Sequence, residues 1–85
     1  MIEEILRDHP DRLVQNALAL AIAGHLRAQA ALRDGRNSSA QRWHEIREDA
    51  VLMVSDYAGL DRDQTRAGVI VLSRDPEIAA LADLL

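Results

Sequence analysis

Cysteine is absent from the chain, which excludes disulfides, Cys-ligated zinc, iron–sulfur clusters and thiolate nucleophiles. Phenylalanine and lysine are absent as well, and one Trp and one Tyr are the only aromatic residues. Aromatic and β-branched residues favour strands, so their scarcity works against an extended sheet. No apolar run approaches the ~20 residues that a membrane span requires. The opening Met-Ile-Glu-Glu is the reverse of a basic signal-peptide start. A soluble, cytoplasmic chain with no membrane partner is expected. Two prolines and four glycines are the only strong breakers, so interruptions of regular structure are few.

What remains is alanine, leucine and charge. The 85 residues are 48% hydrophobic, with fourteen alanines and twelve leucines, both strong helix formers. That length fits one small domain. A chain this short buries only about 60–65% of its unfolded surface. With alanine in place of larger side chains, association with a second subunit is a natural source of further stability.

All ten basic residues are arginine, and the formal net charge is −4. The balance is uneven along the chain. Residues 1–11 hold one Arg against four acids, residues 12–47 six Arg against two acids, and residues 48–85 three Arg against eight acids. A basic middle in an acidic body argues against nucleic-acid binding, which wants a basic face on the whole domain. It suits self-association or a charged protein partner.

The pattern predicts an all-α fold: a small bundle of about five helices built on a long antiparallel helical hairpin. Ile2, Ile5 and Leu6 mark a helix over 2–8. Pro10 opens a long helix over 10–34, because proline is tolerated at the first helical position, and Gly35 is a left-handed cap. Ser38-Ser39-Ala40-Gln41 reads as a capping box starting a helix over 39–58, stopped by Gly59. Asp61 caps a helix over 62–74, and Asp75-Pro76 opens one over 76–85, with Ile78, Leu81, Ala82 and Leu85 on its apolar face. Gly68-Val69-Ile70-Val71-Leu72 has strand propensity but no second strand to pair with, so it reads as a fully buried helix.

The most organised feature is a stripe of small residues, Ala17, Ala21, Gly24, Ala28 and Ala31, spaced 4, 3, 4, 3 along the long helix. Leu13 and Leu20 flank it on one side; Val14, Leu18, His25 and Leu32 flank it on the other. Such a seam admits a close neighbouring helix. Two occupants fit: the next helix, through Trp43, Ile46, Ala50, Val54 and Tyr57, or a second copy of the chain. Arg33, Arg36 and Arg42 gather at the hairpin tip, where guanidinium groups suit a phosphate or an acidic partner.

The hairpin also sets His25 across from Glu48, with His44 one turn from Glu48, and these three are legitimate zinc or iron ligands. Glu45-Ile46-Arg47-Glu48 is similar to half of the acidic motif of the all-α NTP pyrophosphatases, which hold Mg²⁺ with a second Glu-x-x-Glu on the preceding helix. Here that helix has no acid between Arg12 and Arg33, so the clamp lacks its other half. Asp75–Ala82 is similar to the first helix of a helix-turn-helix, with no recognition helix to follow it.

No glycine-rich phosphate loop, nucleophile elbow or zinc-protease motif occurs. Ser38 and Ser39 read as caps, Ser55 as part of a polar face and Ser73 as a helix end. No enzyme and no cofactor are expected. The expected function is a non-enzymatic protein–protein interaction module, of the kind a phage or mobile-element accessory or regulatory protein would be. A metal-binding protein using His25, His44 and Glu48, and an oligomeric structural or assembly subunit, are the alternatives.

Overall fold

The computed structural model describes residues 2–83, which form five α-helices and no strands: α1 (Ile2–Asp8), α2 (Arg12–Arg33), α3 (Asn37–Ala58), α4 (Arg62–Leu72) and α5 (Pro76–Ala82). The all-α architecture and the antiparallel α2–α3 hairpin are as the sequence predicts. Helix α2 is the axis of the molecule, since each of the other four helices packs against it. Its alanine-rich sequence explains this: short side chains let neighbours approach from several sides at once. Ten of its residues are buried, among them Val14, Leu18, Ile22 and His25.

The helix ends follow from local chemistry, with two departures from expectation. Helix α2 begins at Arg12 and not at Pro10, because Asp11 is extended and its carboxylate accepts the Leu13 N–H at 2.9 Å. Helix α3 begins at Asn37, ahead of the predicted Ser38–Gln41 box. At the end of α2, Gly35 takes φ +73°, its N–H donates to the Leu32 carbonyl, and the Arg36 N–H reaches back to the Ala31 carbonyl. This double closure redirects the chain so sharply that α3 starts one residue after Arg36, with no side-chain cap. The Gln41 amide turns forward to Glu45 instead.

Gly59, at φ +69°, ends α3, and the Ser55 carbonyl accepts both its N–H and that of Leu60. Asp61 caps α4 through the Gln64 N–H, and Asp75 caps α5 through the Glu77 N–H with Pro76 in the first turn. Helix α4 stops at Leu72 and α5 at Ala82, so both are shorter than predicted; Leu85 lies outside the described residues.

The core joins Val14, Leu18 and Ile22 of α2 to Val51 and Val54 of α3, Val69 of α4, and Ile78 and Ala82 of α5. The segment Gly68–Leu72 is helical but not fully buried. Val69 is sealed, Ile70 and Leu72 are half-buried, and Val71 points to solvent. An 11-residue helix on the edge of a bundle can present only one face inward, whatever the hydrophobicity of the rest. Leu81 of α5 is exposed for the same reason. The buried Ser55, Thr65 and Ser73 hydroxyls each donate to a carbonyl of the preceding helical turn, Val51, Asp61 and Ile70. Ser55 is thus part of the packed interior and not of a polar face.

Candidate functional site

The small-residue seam is filled from within the chain. Ala17, Ala21, Gly24, Ala28 and Ala31 are all buried, and Gly24 marks the closest passage of α3. A Cβ on Gly24 would stand 3.1 Å from the Trp43 carbonyl oxygen and 3.2 Å from the Arg47 nitrogen, both backbone atoms. Of the two occupants the sequence allows, this seam holds α3 of the same chain. The residues of α3 that close on α2 are Ala40, Arg47, Ala50, Val51 and Val54, whereas Tyr57 lies out in solvent and Trp43 and Ile46 are half-buried at the border.

The histidine cluster takes a form other than a metal centre. Arg47, which the sequence pattern did not connect with the histidines, lies between the two imidazoles. Its guanidinium contacts His25 Nδ1 at 2.9 Å and His44 Nδ1 at 3.0 Å. Guanidinium only donates, so both Nδ1 atoms act as acceptors and both rings carry their proton on Nε2. Glu48 turns toward α4, where Arg66 grips both carboxylate oxygens at 2.6–3.0 Å, and Arg47 Nε adds a bond at 3.1 Å. A cation therefore occupies the place where the three predicted ligands would converge. Among the described residues, no group of three or more His, Asp or Glu side chains could hold a metal ion.

The electrostatics follow from this arrangement. Burial, and then the positive charges of Arg47 and Arg74 and the neighbouring His44, hold the His25 pKa below its ordinary 6.5. The hydrogen bonds from Arg66, with further help from Arg47, hold Glu48 below its usual 4.5 against an opposing effect of burial. An open groove of about 510 Å³ runs beside the cluster, lined by His25, Gln29, Leu32, Asn37, Gln41, His44 and Arg47 among others.

On the other side of the hairpin, α2 and α3 diverge over a second groove of about 390 Å³, and this one is apolar. Leu13, Ala17 and Leu20 of α2 face Ile46, Ala50 and Met53 of α3, with Asn16 and Asp49 at its edge. Toward the hairpin tip, the Arg27 guanidinium stacks 4.8 Å from the centre of the Trp43 ring. Leu13 is 70% exposed, Met53 46% and Leu20 38%. The sequence placed Leu13 and Leu20 beside the seam but did not pair them with Ile46 and Met53. A second 4, 3, 4, 3 stripe on α3, Arg42, Ile46, Asp49, Met53 and Asp56, was the signal available.

The three predicted tip arginines are all exposed. Arg36 is bonded to Asp34 at 3.1 Å. Arg33 borders a shallow hollow with Leu26, Arg27 and Asp83, and Arg42 stands on the α3 stripe beside the apolar groove. Among the described residues, no helix is long and apolar enough to cross a membrane. In comparison with known proteins, no family model, no curated protein and no solved structure matches this chain.

Proposed function

We propose that this chain is a non-enzymatic protein–protein interaction module that docks its partner on the apolar groove between α2 and α3. The observation that carries the reading is the joint exposure of Leu13, Leu20 and Met53 around one concave strip on a bundle whose interior is already filled. Contiguous apolar surface with a polar edge is the usual mark of a docking site, whereas isolated exposed leucines are not. Met53 on its wall adds a side chain that adapts to the shape of what covers it. The buried hydroxyl groups support the non-enzymatic part, since each is spent on a backbone carbonyl of its own helix.

The test is a comparative capture of binding proteins by the native chain, by the double variant Leu20→Glu, Met53→Glu, and by Leu81→Glu. The control residue is equally apolar and 61% exposed but lies on α5, away from the groove. Binding that survives Leu81→Glu and is lost in the double variant is the expected result. Equal binding by all three would contradict the assignment.

A further inference from the structure

We infer that the occupant of this groove is a second copy of the chain, paired about a two-fold axis perpendicular to α2 and α3. The inference rests on the docking role proposed above and names its partner. Its basis is the charge pattern along the groove. On α3, Arg42, Asp49 and Asp56 lie seven residues apart on one exposed stripe, interleaved with Ile46 and Met53. Among the described residues none of these three charges has a hydrogen-bond or ion-pair partner. Arg42 stands at the hairpin-tip end, where Arg27 covers Trp43; Asp56 stands toward the Leu13 end. Along α3 the strip is basic at one end and acidic at the other.

That polarity chooses among symmetric arrangements. A two-fold parallel to the helices would set the Arg27–Arg42 end of one copy against the same end of the other. A perpendicular two-fold brings Arg42 of each copy to Asp56 of its mate and Ile46 close to Met53, and the apolar strip covers itself. The dimensions are adequate. Two 22-residue helices side by side present a face of roughly 33 by 20 Å. Two such faces bury about 1,300 Å², within the ~1,200–2,000 Å² of specific interfaces. Asp49 lies near the axis, where its two copies form an unfavourable charge contact.

Sedimentation of the full chain from micromolar to millimolar concentration, at low ionic strength, tests this. The native chain shows a concentration-dependent dimer. Arg42→Asp or Asp56→Arg alone weakens it about tenfold or more, since each reversal creates two like-charge contacts per dimer. The double variant Arg42→Asp, Asp56→Arg restores it, and Asp49→Asn tightens it. All three sites are exposed surface positions, and circular dichroism checks that each of the four variants is folded. A native chain that stays monomeric throughout overturns the inference, as does a dimer indifferent to the reversals or not restored by the swap. If the chain is monomeric while capture of another protein still depends on Leu20 and Met53, only self-pairing fails. If it is monomeric and capture ignores those residues, the docking role fails as well.

Discussion

At Gly24 a side chain would strike the backbone of α3 instead of a movable neighbour. A mid-helix glycine costs about 1 kcal/mol in propensity relative to alanine, and here the loss is offset by the approach of α3 to within van der Waals contact. Gly24→Leu should destabilise by roughly 1–3 kcal/mol through overpacking. Because the neighbour belongs to the same chain, that loss should be the same at every protein concentration in a denaturant titration. His25 provides the second residue-level prediction. Its folded-state pKa lies below the 6.5 of the free group, so the unfolded chain takes up a proton first as the pH falls. Stability should therefore drop as pH falls below about 6.5 and level off under the folded value. Urea midpoints measured down that range should fall for the native chain and fall less for His25→Gln. Glu48 adds a separate loss below 4.5, as its carboxylate is protonated and releases Arg66.

At the scale of elements, helix ends tied to one strong residue were legible and those tied to chain geometry were not. Asp61, Asp75 and Gly59 each close a helix end by themselves, through a carboxylate on a free N–H or a left-handed turn. The start of α3 depends instead on where the chain stands after two bonds close over Gly35, and the Ser38–Gln41 pattern carries no information about that. Likewise the run Gly68–Leu72 shows that α4 is hydrophobic, but not that only Val69 finds neighbours on every side. Two consequences are measurable. Asp61→Ala should cost about 1 kcal/mol by freeing the Gln64 N–H. Val69→Ala should cost clearly more than Val71→Ala, the latter staying within about 0.5 kcal/mol as exposed positions do.

For the whole molecule, the decisive fact is that the interior is complete while one flank of the hairpin remains apolar. The seam along α2 is sealed by α3, and the histidines are tied to Arg47. The sequence showed the seam because small residues at 4, 3 spacing stand out on a single helix. It hid the groove because that feature is shared: Leu13 and Leu20 look like ordinary flank residues until Ile46 and Met53 are set beside them. Hydroxyl-radical footprinting across protein concentration tests the central claim most directly, with Leu20 and Met53 read against Leu81 and Val71. If self-pairing covers the groove, labelling of Leu20 and Met53 falls steeply as concentration rises, while Leu81 and Val71, both more than 60% exposed on other helices, are unchanged. Constant labelling of Met53 from the most dilute to the most concentrated sample would contradict it.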